Sequence, residues 1–195
     1  MRYSIIYADP AWRFKNWSME AAAVKGEKWG RANGRSPYDC MDTKDICTLP
    51  VREVATRDCV LFLWATFPKL PDALQVIQAW GFEYKTNAFT WIKENPSGIG
   101  YKFGLGYWTR GNAEVCLLAT RGKPKRVSKT VPQLVFAPVG THSVKPPVVR
   151  ERIVKLVGDL PRLEMFAREH VPGWTSIGDG VDGLDIRDSL CALID

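Results

Sequence analysis

Tyr3-Ser4-Ile5-Ile6-Tyr7-Ala8-Asp9-Pro10-Ala11-Trp12 sets an apolar run of strand length directly against an acid and a proline. A run this short and nearly unbroken fits a strand covered on both faces, the habit of parallel sheets. Outward along the chain, similar runs predict strands at 60–65, 88–92, 115–119, 133–137, 163–167 and 174–177. Between them lie helical patterns. Leu70, Ala73, Leu74 and Ile77 keep i, i+3, i+4, i+7 spacing ahead of Gly81; Val149, Ile153 and Leu156 do so ahead of Gly158, and Ile186, Leu190, Leu193 and Ile194 close the chain as a third. Strands alternating with helices predict an α/β fold: a mainly parallel sheet with helices on both faces and a ligand crevice beyond the carboxyl ends of the strands. Asp9 is then expected at that crevice.

With 195 residues, 46% hydrophobic and 25% charged, the chain has the balance of a soluble globular protein, and one domain spanning 1–195 is the simplest reading. Residues 59–65, the longest apolar run, fall far short of the roughly 20 residues a membrane helix needs, and no signal-peptide pattern opens the chain. A cytoplasmic protein without a membrane partner is expected. Five widely spaced cysteines fit reduced core thiols better than a disulfide framework. No C-x-x-C pair exists and there are two histidines, so no metal site is expected.

A net charge of +6 is compatible with a polyanionic partner, and eight tryptophans add to the point, because aromatic faces beside Lys and Arg hold unpaired bases. Residues 13–48 break the strand–helix rhythm. This basic loop carries Lys15, Trp17, Lys25, Lys28, Trp29, Arg31, Arg35 and Tyr38, the candidate nucleic-acid contacts; a solvated flap is the plain alternative. Arg121, Lys123, Lys125 and Arg126 form a second basic cluster. A charge run is usually a solvated loop, but with the first it predicts two basic walls flanking Asp9.

Asp9 and Pro10 suggest a chemistry of their own. Pro10 fixes the backbone so that a carbonyl is held beside the carboxylate, and two adjacent acceptors suit an NH2 group. In an exocyclic amine such as adenine N6 the lone pair is delocalised into the ring; hydrogen bonds from both its hydrogens favour a pyramidal nitrogen and free that pair for attack. Trp12 is expected to stack on the base, worth about 1–3 kcal/mol in single-strand binders. An ordinary Asp-Pro turn explains the same residues without chemistry.

The strand with Asp9-Pro10-Ala11-Trp12 resembles the D-P-P-W motif of amino-methyltransferases acting on adenine, with Ala11 in place of the second proline. Further matches follow in order: Pro37-Tyr38, Leu61 to Thr66, Trp80-Gly81-Phe82, Trp91-Ile92-Lys93, Gly106-Tyr107-Trp108 with Arg110-Gly111-Asn112 and Glu114, Lys145-Pro146, Glu164 to Arg168, and Trp174 leading to Gly178-Asp179-Gly180. Over nearly its whole length the chain resembles the family of the eukaryotic messenger-RNA N6-adenosine methyltransferase catalytic subunit and its bacterial and phage relatives. The resemblance implies a Rossmann-like fold that uses S-adenosylmethionine, permuted so that the catalytic strand comes first. It makes Asp9 and Pro10 the catalytic acceptors and Trp12 the base platform. Asp9 and Lys145 would lie by the cofactor's methionine end, Leu163, Glu164, Met165 and Phe166 under it, Arg168 and His170 by its ribose, and Asp179 with Gly180 by its ribose or adenine.

Each of these has a bland reading: Arg168-Glu169-His170 as a charged turn, Lys145-Pro146-Pro147 as a helix start. Gly178 to Gly183 satisfies G-x-G-x-x-G, but 12 residues follow it, too few for the rest of a βαβ unit, so NAD is not expected. Its glycines are expected to let backbone approach a nucleoside. The expected activity is methyl transfer to adenine N6 in nucleic acid, DNA favoured and RNA possible, by a monomer or homodimer. A catalytically silent nucleic-acid-binding scaffold and a small-molecule amine methyltransferase are the competing classes.

Overall fold

The structure, a computed structural model, describes residues 2–13, 40–104, 106, 108–140 and 144–194. These form β1 (Tyr3–Ala8), α1 (Thr43–Cys47), α2 (Val51–Val54), β2 (Ala55–Ala65), α3 (Leu70–Ala79), β3 (Glu83–Glu94), β4 (Ala113–Arg121), β5 (Leu134–Pro138), α4 (Val148–Val157), β6 (Arg162–Met165), β7 (Thr175–Ile177), α5 (Asp179–Asp182) and α6 (Ile186–Ile194). Each expected strand is present. β2 and β3 begin earlier than their apolar runs do, because their first turns of ladder carry exposed polar side chains that hydrophobicity does not register. Within the segment 13–48 expected to be a loop, residues 43–47 are helical as α1.

Seven strands make one sheet in the order β5-β3-β4-β2-β1-β6-β7. Its pairings are parallel except at β4, which runs against both β2 and β3. The sheet is therefore mainly parallel, as expected, with β4 alone inverted. A single inverted strand is invisible to hydrophobic periodicity, since a buried strand reads alike in either direction.

Side chains of β1 alternate between two cores. Ile6 and Ala8 pack with Ile46, Val51, Val54, Ala73, Val76, Ile77, Ile186 and Leu190, which places α1, α2, α3 and α6 on one face. Ile5 and Tyr7 pack with Val149, Ile153 and Val157 of α4 on the other. Helices on both faces are thus confirmed. Gly81 stops α3 as its position promised: at φ 80° it adopts the left-handed conformation that glycine alone reaches without penalty, and its N–H returns to the Gln78 carbonyl at 3.0 Å.

Register brings the carboxyl ends of β1, β2 and β6 level, with Ala8 beside Leu63 and Met165. Because β4 is inverted, its amino end lies on that same edge: Val115 pairs with Ala65 and Glu114 with Trp91.

Candidate active site

Asp9 leaves β1 at this edge with its side chain 27% exposed. The next three residues form a tight turn in which the Trp12 N–H donates to the Pro10 carbonyl at 2.8 Å. That i to i+2 bond is a γ-turn, and since the φ of Ala11 is not positive it is the inverse, unstrained kind. Met41 closes the exit of the loop: its N–H donates to the Ala11 carbonyl at 2.8 Å and its carbonyl accepts the Arg13 N–H at 3.1 Å. Trp12 is only 6% exposed, and its indole N–H donates to the Trp64 carbonyl at 3.1 Å. It therefore anchors the turn to the end of β2 and offers no open face to a base, which corrects the stacking role expected of it. Sequence proximity put Trp12 beside the acid, but an indole N–H within reach of a strand-end carbonyl draws the ring into the core.

Lys145 places its ammonium 2.7 Å from Asp9 Oδ2 and 3.3 Å from Glu114 Oε2, and Glu114 Oε1 pairs in turn with Lys93. Two carboxylates and two ammoniums so alternate in a chain ending on Asp9. Burial works against the charge of Lys145, yet the Asp9 and Glu114 carboxylates hold its pKa above the ordinary lysine value. Burial likewise presses on Glu114, but Lys145 and Lys93 keep it below the usual carboxylate range. For Asp9 burial wins over Lys145, and its pKa is raised. Asp9 Oδ1 receives no hydrogen bond among the described residues and is left to accept one.

A cleft lined by Tyr7, Asp9, Val144, Lys145, Arg150, Glu164, Phe166, Arg168 and Glu169 opens beside this chain. Its floor is pinned by a bidentate pair: Arg150 of α4 donates from Nε and Nη2 to Glu164 of β6 at 2.8 and 2.7 Å. Burial raises the Glu164 pKa despite that guanidinium. Phe166, directly after β6, has φ 61°, left-handed for a bulky residue, a strain of order 1–3 kcal/mol of the kind found at ligand sites. It is held there by the Ala167 N–H, which donates to the Ile177 carbonyl at 2.9 Å.

The sequence model of the MT-A70 family matches residues 3–180. The chain belongs to the MT-A70 family. It is 32% identical over 188 residues to the type II methyltransferase M.MunI of Mycoplasma sp, covering 91% of this chain and 77% of that one. It is 25% identical over 191 residues to the human N(6)-adenosine-methyltransferase catalytic subunit METTL3, covering 96% of this chain but 30% of that protein. To the mouse N(6)-adenine-specific methyltransferase METTL4 it is 27% identical over 208 residues, with 98% and 40% covered. The chain thus spans less than half of the two mammalian relatives.

Within this MT-A70 chain the cleft gathers Asp9, Lys145, Glu164, Phe166 and Arg168. Leu163 and Met165 are fully buried in the opposite core, as strand alternation requires, so their side chains do not reach it. His170, Asp179 and Gly180 are exposed and do not line it. Gly178 is needed for protein packing: at φ 147°, a Cβ there would stand 2.8 Å from the Ala167 nitrogen, so the glycine admits the chain's own backbone rather than a nucleoside.

The candidate contacts Lys15, Trp17, Lys25, Lys28, Trp29, Arg31, Arg35 and Tyr38 lie outside the described residues. Arg121, Lys123, Lys125 and Arg126 do not flank Asp9. Arg121 is the last residue of the inverted β4, where it pairs in register with Cys59 about 20 Å of strand from the Asp9 edge, and the other three follow it. There the Lys123 N–H bonds to Asp58 and the Val127 N–H to the Leu156 carbonyl. Lys93, Glu114 and Arg150 were absent from the expected site. Lys93 and Glu114 stand within the family matches; nothing local marks Arg150, whose partner is 14 residues away.

Proposed function

We propose that this protein is an S-adenosylmethionine-dependent methyltransferase acting on adenine N6 in nucleic acid, with DNA as its preferred substrate. The observation that carries the reading is Asp9 at the end of β1, which lines a charged cleft with one carboxylate oxygen held by Lys145 and the other without a hydrogen bond among the described residues, while Pro10 behind it is buried and its carbonyl accepts the Trp12 N–H. DNA is favoured because the relatives named as adenosine methyltransferases are 24–26% identical, less similar than the type II methyltransferase at 32%. The chain is read as one Rossmann-like domain whose catalytic strand precedes its main cofactor strand.

The residues of the cleft fit the cofactor, which carries an ammonium, a carboxylate and a sulfonium: Asp9, Glu164 and Glu169 supply anions there, and Lys145, Arg150 and Arg168 cations. Bound S-adenosylmethionine supplies the electrophilic methyl group. Asp9 Oδ1 and the remaining lone pair of the Pro10 carbonyl accept hydrogen bonds from the two amino hydrogens, holding N6 pyramidal with its lone pair aimed at the methyl. With the cofactor bound, attack by N6 would take the methyl from its sulfonium and leave N6 with a proton to release. Asp9 receives it, helped by the burial that raises its pKa. Lys145 keeps the carboxylate ionised beforehand and fixes Oδ2, so the free oxygen points one way.

The test is mass spectrometry of nucleosides from DNA and RNA incubated with the protein and methyl-labelled cofactor. Label on N6-methyladenine, greater from DNA, is expected. Labelled nucleosides without N6-methyladenine, or no label at all, would refute the assignment.

A further inference from the structure

The connection between β3 and β4 emerges on the Asp9 edge, and its backbone is tied down. The Asn95 N–H donates to the Gly100 carbonyl at 3.0 Å and the Lys102 N–H to the Lys93 carbonyl at 2.8 Å. Asn112 Nδ2 bonds the carbonyls of Lys93 and Lys102 at 3.0 and 2.7 Å, and the Gly104 N–H that of Gly111 at 2.6 Å. Lys93, at the root of this loop, also pairs with Glu114, so the loop is fastened to the ionic chain that ends on Asp9.

From this scaffold Trp108 stands 99% exposed and Phe103 59%, with Tyr101 open beside them. Every other tryptophan among the described residues is buried or half-buried, so core packing does not account for Trp108. Lys102 and Arg110 are exposed too, and no acid occurs in residues 95–113. A second copy docked symmetrically here would bring these cations toward their own counterparts, whereas a polyanion with flat bases matches both features.

We propose that this loop grips a single nucleic-acid strand, Trp108 and Phe103 stacking on the bases that flank the target adenine while Lys102 and Arg110 pair with their phosphates. The inference rests on the adenine reading of the Asp9 site, but it commits a surface of its own. Residues splayed from a duplex or already unpaired are the ones such aromatics can reach.

Fluorescence anisotropy with a labelled single-stranded DNA oligonucleotide carrying one adenine tests it. Trp108→Ala should weaken binding by about 5- to 100-fold, the loss of one base stack, and Trp108→Phe should recover most of that. Lys102→Gln with Arg110→Gln should flatten the slope of log Kd against log salt by roughly 0.7 per lost contact. Trp108 packs against nothing that holds the fold, so the variant's unchanged melting temperature is the control. Wild-type affinity in Trp108→Ala, or a dimer that falls to monomers on this change while affinity for DNA persists, overturns the proposal. A wild-type protein that binds the strand through Trp108 yet methylates no adenine supports the loop and refutes only the reading of Asp9.

Discussion

Asp9 holds a buried lysine with one oxygen and leaves the other free, so its removal should strike chemistry more than folding. Asp9→Ala is expected to lower kcat by on the order of 100-fold or more while the melting temperature stays close to wild type, as measured by methyl transfer and thermal unfolding. The acid limb of the pH profile carries the same information. Because burial raises the Asp9 pKa, the group takes up its proton at a higher pH than a free aspartate does, so activity falls as pH drops through a midpoint above the ordinary aspartate value. Lys145 opposes that rise, and Lys145→Met should move the midpoint further up. Ala11 is the neighbouring test. Its inverse γ-turn has φ near that of proline, and its N–H has no acceptor among the described residues. Ala11→Pro should therefore keep kcat within about tenfold, roughly 1.4 kcal/mol of barrier. Loss of activity in a folded Ala11→Pro protein would mean that the Ala11 amide serves a bound ligand.

At the scale of elements, the cleft depends on α4 staying docked against β6. The Arg150–Glu164 pair does this in a place where both side chains are about nine-tenths buried. Breaking it strands Glu164 without its guanidinium, so Arg150→Met should destabilise the protein by about 3–5 kcal/mol in urea titration. Replacing both members, Arg150→Met with Glu164→Leu, should restore most of that stability and leave the cleft poorer by one carboxylate. A single Arg150→Met change that costs under about 1 kcal/mol would show the pair to be solvated. These elements were readable from periodicity to different degrees. β1 follows from its apolar run, and α3 and α4 from their spacing and glycine stops. The inversion of β4 does not, and it is what brings Glu114 to Asp9 and carries Arg121 away.

For the whole molecule, that inversion separates two basic regions that lie close in sequence. Lys102 and Arg110 sit on the Asp9 edge, while Lys123, Lys125 and Arg126 follow the far end of β4. Neutralising the latter three to Gln should leave methyl transfer to a short oligonucleotide within about twofold of wild type, since phosphates about 20 Å from the target are beyond such a substrate. A fall as large as that of Lys102→Gln with Arg110→Gln would route the substrate over the far edge.

By itself the order of residues determined the local things: the strand ahead of Asp9, the acid and carbonyl at its tip, the helices on two faces, and the family to which they belong. Those depend on neighbours in sequence, where hydrophobic period, proline and glycine act directly on the backbone. Which charges meet was decided by folding. Lys145 reaches Asp9 across 136 positions and Arg150 finds Glu164 through the docking of a helix on a strand. Trp12, expected to face a base, turned inward because a strand-end carbonyl lay within reach of its indole N–H. Pairings of this kind follow from strand direction and register, which are set by tertiary packing and leave no mark in local composition.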